Sequence, residues 1–171
     1  MSAPAVAAPF LAAAVLLAGA GVAKVWRPDD TARALRVAHL PSHRNLVRAG
    51  ALAEVVVGVT AVALPGPVTG GLVAAAYAAF TVFVGVALAR GWPLSSCGCF
   101  GRPDARPGPA HLVLDAGAAT VSVWWSVGAP GRIDRVFTGG PWQGWPLALV
   151  TVVTAGLAYL IWTNPLERPA R

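Results

Sequence analysis

The stretch that decides the fold is Ala49–Ala89, AGALAEVVVGVTAVALPGPVTGGLVAAAYAAFTVFVGVALA. It runs 41 residues with a single charge, Glu54. Pro65-Gly66-Pro67 divides it, because two prolines around a glycine cannot continue a helix. The halves, at about 46–64 and 70–89, each approach the roughly 20 apolar residues that a bilayer crossing needs. They are continuously apolar and lack the alternation of a membrane strand, so they read as helices. Ala and Gly are abundant in them, as close packing of membrane helices requires.

The same pattern extends outward in both directions. Residues 5–23 carry no charge and form a first span. Without a basic n-region they do not read as a cleaved signal peptide. A fourth span covers about 110–128, interrupted by Asp115, and a fifth covers about 145–162. The expected fold is an all-α integral membrane protein. It is a bundle of four to five transmembrane helices in a single domain over 1–171, set in the lipid bilayer.

Composition agrees. Of 171 residues, 56% are hydrophobic and 12% charged, against about 25% charged in a soluble domain. Mean hydropathy is +0.63. A chain this small cannot cover so much apolar surface with so few polar groups. A soluble enzyme, a nucleic-acid-binding module and a disordered tail are all poor readings.

The net charge is +6, and twelve of the thirteen basic residues are Arg. With five spans, eleven of the thirteen fall on the side holding loop one, loop three and the C-terminus; Arg132 and Arg135 are on the other. The positive-inside rule places the eleven in the cytoplasm. The basic excess therefore reflects membrane orientation and contact with anionic lipid, and no nucleic-acid partner is expected. Trp26, Trp92, Trp142, Trp145 and Trp162 fall at span ends, where aromatic belts sit. In loop one, Asp29 or Asp30 is expected to cap a short helix through about Leu40, with Pro41 stopping it and Ser42 capping span two. Leu35, Ala38 and Leu40 beside Arg33 and Arg36 make it an interfacial helix or a solvated basic loop.

The chain has two cysteines, in Ser95-Ser96-Cys97-Gly98-Cys99-Phe100-Gly101. Thiols at this spacing close into a small disulfide ring, and Gly98 supplies the backbone angles such a ring demands. The ring is strained relative to a relaxed disulfide and hence more easily reduced. It stabilises little, because the loop it closes is short. Exchange requires a thiolate. Arg90, Arg102 and Arg106 flank the motif, and the N-terminal dipole of span four points toward it, both favouring the thiolate. Two packed, inert cysteines are the plain alternative. A metal site drawing on His111, His39 or His43 is another, but the spacing matches no zinc pattern and no metal is assigned.

Glu54 lies six residues past Arg48, about 9 Å deeper at 1.5 Å per residue. An ionisable group there is either functional, as a proton relay for thiol exchange, or a structural hydrogen bond between helices. Lys24, Arg48 and Arg90 are its candidate partners. Asp115, in the first turns of span four, is expected to answer the helix dipole. Tyr77 is expected to pack.

The segment Cys97-Gly98-Cys99-Phe100-Gly101 after a third span resembles the signature of the MauE family, the methylamine utilisation membrane proteins of bacteria within the wider DoxX-like group. Ala23-Lys24 followed by Arg27-Pro28, Leu52-Ala53-Glu54 with Gly58, and Phe80, Phe83 and Arg90-Gly91 resemble its other motifs, over about 12–127. The resemblance implies a multi-pass protein of the cell (inner or plasma) membrane concerned with disulfide or redox handling. Cys97, Cys99 and Glu54 would be the working residues, supported by Lys24, Arg90, Gly98, Phe100, Gly101 and Asp115. Read from the cysteine pair itself, Cys97 and Cys99 would exchange with a thioredoxin-like protein or a redox enzyme subunit, or pass electrons to a membrane carrier such as a quinone. The activity implied is thiol–disulfide oxidoreduction. A non-enzymatic assembly subunit, a metal-binding protein using the same cysteines and a small transporter built on Glu54 stand as alternatives. A periplasmic disulfide role would put the cysteines outside, opposite to the side the arginines indicate.

Overall fold

The computed structural model describes residues 3–92, 108–128 and 145–163. Six helices account for nearly all of them. They are α1 (Ala3–Trp26), α2 (Pro28–Val37), α3 (Arg44–Ala63), α4 (Pro67–Ala89), α5 (Pro109–Gly128) and α6 (Trp145–Thr163). No strand occurs among the described residues. The protein is all-helical, as its unbroken apolar runs require.

Three of these helices are long and apolar enough to cross a membrane: α1 over Val6–Trp26, α3 and α4. In α5, buried Asp115 and His111 lower the apolar character. In α6 the described apolar stretch is the shorter Ala148–Leu160. Three clear spans with two further apolar helices thus stand where the sequence reading puts four to five crossings.

Helix α1 occupies the centre. Its spanning stretch is 67% buried within the protein, against 22% for α3 and 28% for α4. It packs against α3, α5 and α6, and α4 pairs with α5. Phe10, Leu17, Val73 and Tyr77 are among the fully buried side chains. The Tyr77 hydroxyl donates to the Ala13 carbonyl at 2.9 Å, and Phe10 stacks on Trp125 with ring centroids 4.9 Å apart. Outward, α3 and α4 expose Leu52, Val56, Val59, Val68, Leu72 and Val82. An apolar face that broad would be unstable in water; hydrocarbon solvates it.

Small residues fix how closely α1 and α3 approach. A Cβ on Gly21 would lie 2.6 Å from the Ala51 carbonyl oxygen, and one on Gly58 would lie 2.6 Å from that of Ala14. Neither position has room for a side chain, so the two backbones touch there.

The turns differ from the sequence reading in detail. Helix α2 is capped at Arg27 without a side-chain hydrogen bond and begins with Pro28, whose missing N–H costs nothing in a first turn. Asp29 and Asp30 lie inside that turn and pair with arginines instead. Asp29 accepts two hydrogen bonds from Arg44, at 2.6 and 2.7 Å, and Asp30 pairs with Arg33. The cap of α3 is His43, not Ser42, and makes no side-chain bond. Helix α2 ends at Val37, short of Leu40, because His39 adopts the left-handed φ of 57°. Leu40 N–H then bonds back to the Leu35 carbonyl. At the break between α3 and α4, Thr69 Oγ1 accepts from Gly66 N–H at 2.9 Å and donates to the Leu64 carbonyl at 3.1 Å.

Candidate functional site: a buried ion pair under an apolar cavity

Lys24 is in the last turn of α1, where the helix dipole favours a cation. It comes three residues after Gly21, at the tight crossing with α3. Glu54 precedes Gly58 by one turn on α3, so the two share a face. The close approach of backbones at Gly21 and Gly58 brings the two side chains together. Lys24 Nζ donates to both Glu54 carboxylate oxygens at 2.7 Å. The side chains are only 5% and 17% exposed. The ammonium also lies 4.4 Å from the centroid of the Phe80 ring, a cation–π contact from α4. Of the three cations open to Glu54 in the sequence, the structure selects Lys24. Arg90 lies over the Trp92 ring, 5.7 Å from its centroid, and Arg48 is exposed.

Above the pair is a cavity of about 770 Å³ between α2, α3 and α4. Lys24, Glu54 and Thr31 contribute its polar side chains; the remaining walls include Leu35, Ala38, Val47, Ala51, Phe80, Phe83 and Trp92. Leu35, Ala38 and Leu40, the apolar residues of the loop-one segment, line this cavity. Ala34 packs in a small cluster with Ala87, Val37, Phe83 and Trp92. The α2 helix therefore rests on the bundle and roofs the cavity, while Arg33 and Arg36 remain exposed.

Helix α4 ends at this same site. Gly91 takes a φ of 60°, Gly91 N–H bonds to the Leu88 carbonyl, and Trp92 N–H reaches the Ala87 carbonyl at 3.0 Å. This helix-terminating motif turns Trp92 against Phe83, with ring centroids 6.3 Å apart. Trp92, expected only as a belt residue, is a cavity wall. Cys97, Gly98, Cys99, Phe100 and Gly101 lie outside the described residues. The chain enters that segment from Trp92 and leaves it at Gly108, whose N–H donates to His111 Nδ1 at 3.3 Å.

Asp115 does not join the Lys24–Glu54 pair. It is 1% exposed and is the seventh residue of α5, past the first turn, where no acidic residue is found. The dipole reading fails for it, because that effect decays within the first turn. It shares a buried face with His111, Ser122 and Trp125. Among the described residues, no three His, Cys, Asp or Glu side chains are placed to hold a metal ion together.

Sequence reasoning missed two parts of the site. Gly21 had a signal in its place one turn before Lys24, the first charge after the first apolar run. The cavity had none, since residues from four separate segments form it.

A family model described as methylamine utilisation protein MauE matches residues 1–128 of the 171. The match takes in the ion pair, the cavity and both cysteines, and it ends with the last residue of α5. No curated protein and no solved structure matches the chain.

Proposed function

This chain belongs to the MauE family, and from that premise we propose a redox-associated, multi-pass protein of the cell membrane whose Cys97–Cys99 pair exchanges thiol and disulfide with a partner. The observation that carries the reading is one of placement. The only two cysteines, one residue apart, follow Trp92 by five residues, and Trp92 is a wall of the cavity over the Lys24–Glu54 pair. At about 3.5 Å of reach per residue, Cys97 is tethered within roughly 18 Å of that wall.

The exchange is a two-electron step. One cysteine thiolate attacks a sulfur of the partner's disulfide, forming a mixed disulfide and releasing the partner's other sulfur as a thiolate. The second cysteine attacks its neighbour's sulfur in the mixed disulfide. The Cys97–Cys99 bond closes and the partner leaves as a dithiol, having gained two electrons and two protons. Run in reverse, the chain oxidises the partner. The partner's chemistry is that of a thioredoxin-like protein or a disulfide-bearing redox enzyme subunit; methylamine utilisation is the setting that the family description names. Gly98 permits the tight ring, and Phe100 and Gly101 complete the motif. Glu54, held by Lys24, serves as the membrane-embedded acid–base group nearest to the cavity, with Arg90 and Asp115 in supporting places.

The test is thiol trapping in native membranes with a bulky maleimide, before and after reductant. The expected result is a reductant-sensitive fraction in the wild type and a mixed disulfide with another protein in Cys97→Ser or Cys99→Ser. Thiols that are permanently reduced, with no mixed disulfide in either variant, would refute the exchange. The same cysteines as a metal site in an assembly subunit would instead give a stoichiometric metal in the purified protein, lost in both variants.

A further inference from the structure

We propose that the cavity between α2, α3 and α4 binds the head of a lipid-soluble quinone, entering carbonyl first toward Lys24. Its redox role rests on the thiol exchange above; its binding does not.

Four observations converge. At about 770 Å³, the volume lies within the 300–1,000 Å³ of small-molecule sites. Its walls are almost wholly apolar, so a polar metabolite would find few hydrogen-bond partners there. Its main polar feature is inward: the Lys24 ammonium, buried with Glu54 and set against the Phe80 ring. At the rim, Leu40, Leu46 and Val82 are 48%, 53% and 66% exposed, so the mouth opens to acyl chains.

A ligand suited to this shape has a flat apolar body, one or two hydrogen-bond acceptors at its leading end and a hydrocarbon tail at the mouth. A phospholipid fits poorly, because entering tail-first it would leave the ammonium facing hydrocarbon. A quinone fits: a carbonyl oxygen accepts from Lys24 Nζ, and the ring packs beside Phe80, Phe83 and Trp92. The site also completes the electron balance. When the Cys97–Cys99 dithiol closes to a disulfide, it loses two electrons and two protons. A quinone takes up both, and its two carbonyls become the hydroxyls of a quinol.

The test uses the full chain in phosphatidylcholine–phosphatidylglycerol nanodiscs. The probe is an azido-benzoquinone with a ten-carbon tail, photolysed and mapped by mass spectrometry. Adducts are expected within 44–54 or 78–92, competed by decyl-benzoquinone and not by decylbenzene. Gly50 lines the cavity, and a Cβ there meets nothing within 4 Å. Gly50→Leu therefore narrows the cavity without disturbing the core, and should reduce competable labelling at least tenfold while the melting temperature holds. If Gly50→Leu melts early, Ala79→Trp, at an exposed position on the opposite wall, makes the same measurement. Labelling that is absent, maps elsewhere, yields equally to decylbenzene, or survives undiminished in both cavity variants overturns the proposal. Cys97→Ser/Cys99→Ser protein must still bind. Competable labelling there, together with failed thiol trapping, keeps the quinone site and refutes the exchange. Successful trapping without competable labelling refutes the quinone site alone.

Discussion

Lys24 and Glu54 are each poor residues for a membrane interior and acceptable ones as a pair. A charge buried alone keeps the full desolvation penalty, while a paired one recovers most of it. Lys24→Met and Glu54→Leu should therefore each destabilise the protein by about 3–5 kcal/mol, since each strands a buried partner. The double variant should recover most of that loss, because two apolar residues of similar size need no compensation. Denaturant titration in detergent micelles reads the cycle. Additive losses in the double variant would show that the two side chains act independently. The sequence marks Glu54 as exceptional, because ionisable groups in spans are rare, and offers Lys24, just past the first span, as one of its candidate partners. It did not choose between three cations for Glu54; that depended on which backbone could come close.

At the scale of elements, glycines sort by what surrounds them. Gly58→Ala puts a methyl 2.6 Å from the Ala14 carbonyl oxygen, so α1 and α3 must separate. A loss of about 1–3 kcal/mol is expected, as for overpacking elsewhere. Gly50→Ala, on the same helix, meets open space and should stabilise by up to about 1 kcal/mol through helix propensity. Thermal unfolding of the two variants should move in opposite directions. Gly91→Ala should lose about 1–2 kcal/mol, because a φ of 60° disfavours any side chain. The helices themselves were legible: α4, read as about 70–89, runs Pro67–Ala89, and its start follows directly from the Pro-Gly-Pro break. Their caps were less legible. Asp29 and Asp30 are good capping residues, yet Pro28 opens the helix and arginines take both carboxylates, so tertiary pairing overrides the local preference.

At the scale of the whole molecule, the lopsided arginines and the disulfide role implied by the family point to opposite sides of the membrane. The positive-inside count predicts that Cys97 and Cys99 face the cytoplasm. A membrane-impermeant maleimide on intact cells should then leave them unlabelled, and permeabilisation should expose them. Labelling of intact cells would place the pair outside. Loop one and the cysteine segment are separated by α3 and α4 alone, so it would mean that the arginine-rich side faces outward or that one of those two helices does not cross. The family match ends where α5 ends, while α6 packs against α1. The segment outside the match thus helps to enclose the central helix.

The sequence by itself determined the helical class, the apolar environment and the helix breaks. These follow from local chemistry: the Pro65-Gly66-Pro67 run cannot continue a helix, and continuous apolar runs are unstable where they face water. It also marked Glu54 and the two cysteines as unusual. Only the tertiary structure decided that α1 is central, that Lys24 is Glu54's partner across 30 residues, and that α2, Phe80, Phe83 and Trp92 enclose a cavity above them. The reason is steric. Which faces meet depends on where two backbones can touch, and that is set jointly by Gly21 on one helix and Gly58 on another, a pairing that no single stretch of chain encodes.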